Sequence, residues 1–249
     1  MVIKGKNMDD YKIEYKTVVI NNKNMASFYC LPGMRGKCSS ANHVITIYKY
    51  EISPDLVLSK QDIDKLRAKI SRWNSEESRI LAHEKQHAKN AVAASPWTTP
   101  KNIYEFIGLY CMDEVSARTA ENLIAKPKNK IDILNAAIKG TEDFLKRKDF
   151  YLNHFENALY SNIVCFNPCK PAHSMVQNNS LNMFKKSYST EFYDALSAYF
   201  TFYGYKLVKD ASIKQTPEWS KFCTNVKQIT SACSSHAQII ANQIKVMQQ

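Results

Sequence analysis

The sequence predicts an α+β fold dominated by helices, with a small N-terminal antiparallel sheet and a helical C-terminal half. Two observations carry this prediction. Residues 11–51 alternate apolar and polar side chains as strands do, and after Pro54 the apolar spacing becomes helical and stays so. The chain has 249 residues, of which 45% are hydrophobic. That composition supports a packed core and excludes a disordered chain.

The predicted strands are runs of β-forming residues separated by turn residues. The runs lie at 11–15, 17–20, 25–29 and 44–48. Turn residues occur at 21–24, at Pro32-Gly33 and at the Arg35-Gly36 step. Because short turns connect antiparallel neighbours, we expect a mostly antiparallel sheet.

Helical periodicity covers most of the remaining chain. The predicted helices lie at about 60–93, 100–125, 130–162, 180–204 and 216–246. Ser59 and Asp62 resemble a capping box at the start of the first helix. Asn74 and Ser75 could cap a second helix, so this region contains one helix or two. We expect one domain at 1–162 and a helical subdomain at 163–249.

The chain is basic, with 34 Lys and Arg against 23 Asp and Glu and a net charge of +11. The charge is spread along the chain, so it indicates no particular nucleic-acid surface. The sequence has no apolar run of the ~20 residues that a membrane span needs, and its start shows no signal peptide. We therefore expect a soluble protein. Its compartment stays open, because an exported and processed chain would look the same.

Six of the seven cysteines fall in local pairs: Cys30 with Cys38, Cys165 with Cys169, and Cys223 with Cys233. Cys111 is left over. Ten residues along one helix span ~15 Å, which is too far for a disulfide between Cys223 and Cys233. Free thiols are the simpler interpretation.

The strongest chemical signal is His83-Glu84-Lys85-Gln86-His87, an H-E-x-x-H motif within a predicted helix. Its chance expectation in a chain of this composition is about 0.007. Residues four apart lie one above the other on a helix, so both imidazoles can reach one cation. Two neutral nitrogens and a carboxylate suit Zn²⁺, leaving a fourth position for water whose proton Glu84 can accept.

Glu114 is the expected third ligand. It interrupts the apolar stripe of the helix at 100–125, where an acid must be paired, protonated or bound to a metal. It follows His87 by enough residues for a second helix to return alongside the first. Asp113 and Glu121 are weaker candidates because they lie toward the edge of the stripe. The alternative for Glu114 is a buried ion pair with Arg118 or a lysine.

These residues resemble the gluzincin type of zincin metallopeptidase, in which H-E-x-x-H on one helix is completed by a glutamate from a later helix. The resemblance covers roughly residues 60–125. It implies a zincin-like domain in which His83, His87 and Glu114 bind zinc and Glu84 is the general base and acid. Asp113-Glu114-Val115-Ser116-Ala117 is similar to the E-x-x-A context of that family's glutamate. Lys85, Lys89 and Arg118 depart from the family pattern.

The expected function is therefore zinc-dependent hydrolysis of a peptide or protein substrate. The expected oxyanion stabiliser is one of Tyr110, Tyr151, His154 and His173. One alternative is a non-catalytic, partner-binding protein with a structural or vestigial zinc site. The other is a basic nucleic-acid-binding protein without metal.

Two further patterns have simpler structural explanations. Cys165, Cys169 and His173 are too few for a zinc knuckle and favour a disulfide-closed loop or free thiols. The aromatic residues at 192–205 have helical spacing and favour a core position over a stacking platform.

Overall fold

A computed structural model of the protein describes residues 8–21, 35–39, 42–92, 103–124, 129–153, 156 and 211–247. They form an α+β structure in which helices predominate, as the sequence predicts. The chain divides into two compact units, Met1–Val92 and Ala93–Gln249. The predicted division into 1–162 and 163–249 stays a prediction. None of the helices in the described ranges is both long and apolar enough to cross a bilayer.

The first unit contains a three-stranded sheet of β1 (Lys12–Ile20), β2 (Gly36–Ser39) and β3 (Val44–Ile52), in the order β1-β3-β2. β2 pairs antiparallel with β3, whereas β1 runs parallel to β3 along its full length. The prediction of an antiparallel sheet is therefore wrong for β1. Alternation of side chains defines the two faces of a strand but not its partner. Residues 21–43, which include β2, separate β1 from β3 by enough chain for a parallel connection.

Strand boundaries also differ from those predicted. The two runs at 11–15 and 17–20 form one continuous strand, β1. Gly36, predicted to lie in a turn, begins β2. The turn before β3 contains His43, whose φ of 51° lies in the left-handed region. The run at 25–29 lies outside the described residues.

Two helices follow the sheet, α1 (Lys60–Ser75) and α2 (Glu77–Val92). Ser59 caps α1 as predicted, since its side chain accepts a hydrogen bond of 3.1 Å from the Asp62 amide. The helix is interrupted at Glu76, so this region contains two helices rather than one. The Glu76 carboxylate pairs with Arg35 and lies 3.5 Å from the Arg72 guanidinium.

Two apolar clusters position these helices on the sheet. The cluster beneath α1 contains Tyr50 and Trp73, whose rings lie 5.2 Å apart. The cluster beneath α2 consists of Ile45, Ile47, Ile80 and Ala88, with partly buried neighbours. α2 thereby packs against β2 and β3.

The second unit is helical: α3 (Ile103–Asn122), α4 (Lys130–Lys146), the single turn α5 (Ala211–Lys214) and α6 (Pro217–Met247). The residues at 148–153 are also helical. α3, α4 and α6 pack against one another around one apolar core. Gly140 of α4 permits close packing on α3, because a Cβ there would lie 2.6 Å from the Thr119 hydroxyl. The helix predicted at 180–204 lies outside the described residues.

Candidate metal centre

The H-E-x-x-H motif lies on α2, in the first unit. His83 and Glu84 are buried, with exposed fractions of 8% and 7%, and His87 is half-buried. The Nε2 atoms of His83 and His87 lie 3.0 Å apart, and the two rings meet edge to face at 78°. The two imidazoles therefore face one another on the same side of the helix.

This spacing can be compared with that of two ligands on one metal. Two imidazole nitrogens that bind a tetrahedral zinc at about 2.0–2.1 Å lie about 3.3 Å apart. The observed separation of 3.0 Å is within a few tenths of an ångström of that value. Two facing Nε2 atoms can share a proton only if one donates and the other accepts, whereas a divalent cation accepts a lone pair from both. The donor set thus fits a metal ion.

Glu84 lies against the start of β2. A Cβ atom added to Gly36 would lie 2.6 Å from Glu84 Oε1 and 2.8 Å from Ile80 Cγ2. Only glycine leaves room at this position for the observed Glu84 side chain. The sequence does not predict this role, because an Arg-Gly step is typical of a turn. No sequence signal marks this strand, because Lys37, Cys38 and Ser39 are neither β-branched nor aromatic.

The motif helix also carries two lysines that depart from the gluzincin pattern. Lys85 and Lys89 are both half-buried. Burial lowers the pKa of Lys89, and the neighbouring charge of Lys85 lowers it further. The two imidazoles therefore share their helix with two partly desolvated cations.

Glu114, the expected third ligand, lies on α3 in the second unit. Its Oε1 atom accepts a hydrogen bond of 3.1 Å from Arg118 Nε, and both side chains are largely buried. Arg118 Nη1 also lies 2.8 Å from Glu121 Oε1. The ion pair that the sequence left as an alternative for Glu114 is therefore present.

Tyr151 completes this group of charges. Arg118 Nη2 donates to the Tyr151 hydroxyl at 2.6 Å, and the Tyr151 ring stacks on Phe144. Burial raises the pKa of Tyr151 most, and the negative charge of Glu114 raises it further. Burial alone would lower the pKa of Arg118, but the Glu114 and Glu121 carboxylates and the Tyr151 hydroxyl raise it above its usual value. Arg118 therefore stays charged and Tyr151 neutral, which fixes the orientation of the Glu114 carboxylate.

The remaining sequence candidates fall in two groups. Tyr110 lies on α3, one turn before Glu114, and is 38% exposed. The other candidates, His154, His173, the Cys165–Cys169 segment and the aromatic residues at 192–205, lie outside the described residues. The structure thus brings His83 and His87 together, places Glu84 beside Gly36, and places Glu114 among the charges of the second unit.

Comparisons with known proteins provide no relative. No family model, curated protein or solved structure matches this chain. The resemblance to gluzincins therefore rests on the motif residues alone.

Proposed function

We propose that this chain is a zinc-dependent metallopeptidase. One observation carries the proposal: the H-E-x-x-H helix sets two imidazole Nε2 atoms 3.0 Å apart, with a buried glutamate beside them. The proposal assigns His83, His87 and Glu114 as zinc ligands, since each offers one ligand atom of the type that zinc prefers. Glu84 is the general base and acid.

When bound, zinc supplies a Lewis acid that polarises a peptide carbonyl and brings the pKa of a water molecule near 7. Glu84 accepts the proton of the attacking water and then donates it to the leaving amine. The contact with Gly36 limits where the Glu84 carboxylate can lie. This restriction keeps the proton acceptor in one place during both transfers.

Arg118 and Tyr151 are positioning residues in this proposal. Arg118 donates a hydrogen bond to Oε1 of Glu114 and another to the Tyr151 hydroxyl, so Tyr151 fixes the position of Arg118. Hydrogen bonds to a ligating carboxylate orient it and tune its affinity for the metal. The buried ion pair and the role of Glu114 as a ligand are therefore compatible.

Metal content tests the ligand assignment. Protein purified without added metal is analysed by mass spectrometry, alongside His83→Ala and Glu114→Ala. We expect one zinc ion per chain, lost or weakly held in both variants. A wild-type chain that takes up no zinc even after incubation with it would overturn the proposal.

Glu84→Gln tests catalysis separately from metal binding. We expect peptide hydrolysis, followed by mass spectrometry on a mixed peptide library, to fall by about 10²–10⁴-fold. Zinc content should be unchanged, because Glu84 is not a ligand. Equal hydrolysis by the variant and the wild type would remove Glu84 from the mechanism.

A second candidate is a non-catalytic zinc protein that binds partners. The 7% exposure of Glu84 and the half-buried Lys85 and Lys89 favour it, because they restrict access to the motif. Under this alternative the wild type binds zinc but cleaves no peptide in the library. Glu84→Gln would then leave both properties unchanged.

A further inference from the structure

Two cysteines of the second unit lie in contact although they are far apart in sequence. Cys111 of α3 and Cys233 of α6 have Sγ atoms 3.0 Å apart, and both residues are 0% exposed. They belong to the apolar core that α3, α4 and α6 share. Both side chains are thiols in this structure. The sequence had left Cys111 over and paired Cys233 with Cys223.

We propose that Cys111 and Cys233 form a disulfide that joins α3 to α6. Their sulfur atoms are only about 1 Å farther apart than the ~2.05 Å of an S–S bond. The two helices already pack against each other, so small side-chain rotations bring the sulfurs within bonding distance. A disulfide between Cys223 and Cys233 is excluded, because the two residues are ten positions apart on α6, which is ~15 Å.

The chemistry requires an oxidant, which we take to be a small-molecule or protein disulfide. The Cys111 thiolate attacks one sulfur of the oxidant and releases one thiol, leaving a mixed disulfide on Cys111. The Cys233 thiolate then attacks the Cys111 sulfur and releases the second thiol. Cys111 and Cys233 are oxidised by two electrons and the oxidant is reduced by two. The two protons end on the released thiols.

Burial determines when the bond forms. Neither sulfur is accessible in the packed unit, so an external disulfide reaches Cys111 only before α6 has packed on α3. The disulfide therefore forms during folding in an oxidising environment. Once formed, the same burial protects it from reductants, and its presence in protein from the native source would identify an oxidising compartment.

Peptide mapping of the full-length chain tests this directly. The protein is refolded with oxidised and reduced glutathione, alkylated, and digested with trypsin without reduction. Trypsin separates the three cysteines of interest into the peptides 102–118, 222–227 and 228–245. We expect peptide 102–118 linked to 228–245, with a mass two hydrogens below the sum and no such species after reduction. Alkylated Cys111, or Cys111 linked to any other peptide, would overturn the proposal.

Thermal unfolding provides a second readout. We expect wild type that has been unfolded, reduced and refolded with reductant to melt several degrees below the oxidised wild type, because the cross-link restricts the unfolded chain. Cys223→Ala is the matched control and should show the same fall. Cys111→Ala and Cys233→Ala should be insensitive to reductant. If neither variant folds, the wild-type peptide map still decides. Equal midpoints for wild type refolded with and without reductant would contradict a stabilising cross-link.

Discussion

The two units surround their buried polar side chains in different ways. On α2 of the first unit, two imidazoles face each other beside a buried glutamate. On α3 of the second unit, the Arg118 guanidinium lies between two carboxylates and a tyrosine hydroxyl. The second group contains a cation between its two carboxylates, whereas the two imidazoles of the first group offer a metal ion two neutral nitrogen ligands. We therefore expect removal of the metal to change the surroundings of the imidazole pair more than those of Arg118.

Arg118→Gln should have the largest effect on stability. It leaves Glu114 and Glu121 largely buried without their shared cation, at a cost of about 3 kcal/mol or more in the free energy of opening α3. Hydrogen exchange of the α3 amides measures this, with and without zinc. The control is Lys146→Gln, which removes an exposed pair with Asp143 and should cost less than about 0.5 kcal/mol. If added zinc fully restored the stability of α3 in Arg118→Gln, the carboxylates would depend on the metal rather than on Arg118.

His87→Ala should strongly weaken zinc binding while changing stability little. We expect its zinc dissociation constant, from competition with a chelator, to rise by more than about 100-fold, since loss of a ligand exceeds loss of a supporting hydrogen bond. Without zinc, its stability should stay within about 1 kcal/mol of the wild type. Lys85→Ala on the same helix is the control and should leave zinc affinity nearly unchanged. Equal zinc affinity of His87→Ala and the wild type would show that His87 is not a zinc ligand.

Gly36→Ala tests the packing around Glu84. The new methyl group would overlap the Glu84 carboxylate, so we expect a loss of about 1–3 kcal/mol in the free energy of unfolding. If Glu84 is the general base, its displacement should also lower kcat by up to about 100-fold while zinc stays bound. Lys37→Ala, the next and exposed position on β2, should change neither quantity. An active, fully stable Gly36→Ala would show that the Glu84 position is not critical.

Tyr151→Phe should have the smallest effect. It removes the hydroxyl that accepts from Arg118, which costs about 1 kcal/mol in the stability of α3. If Glu114 binds zinc, affinity should also fall by about 10-fold. Tyr48→Phe, on β3 of the first unit, serves as the control and should leave the stability of α3 within about 0.5 kcal/mol. An unchanged zinc affinity in Tyr151→Phe would indicate that Glu114 is not a zinc ligand. It would not affect the assignment of His83 and His87.

Local features of the structure could be predicted from sequence, because their causes lie within a few residues. The Ser59 cap and the long C-terminal helix at 217–247 follow from neighbouring side chains and from periodicity. The same holds for the approach of His83 and His87, four residues apart on α2. The Glu114–Arg118 pair, also four apart, was one of two alternatives that the sequence left open.

Features that join distant segments could not be predicted. The pairing of β1 with β3 depends on which strand reaches the centre of the sheet, and alternation of side chains is the same for either partner. Tyr151 contacts Arg118 across 33 residues, and Cys111 contacts Cys233 across 122. Gly36 shows why a local rule can also mislead, since its small size serves a contact with another element rather than a turn.

The parallel pairing of β1 has a consequence for biosynthesis. Lys12 pairs with Val44 and Ile20 with Ile52, so every pair spans 32 residues, from 44 − 12 and 52 − 20. A nascent chain exposes β1, including the apolar Val18–Ile20, for about 2–6 seconds before its partner has been translated. During that interval the strand has two open edges that could pair with other chains. The charged side chains at its start, Lys12, Glu14 and Lys16, disfavour such pairing.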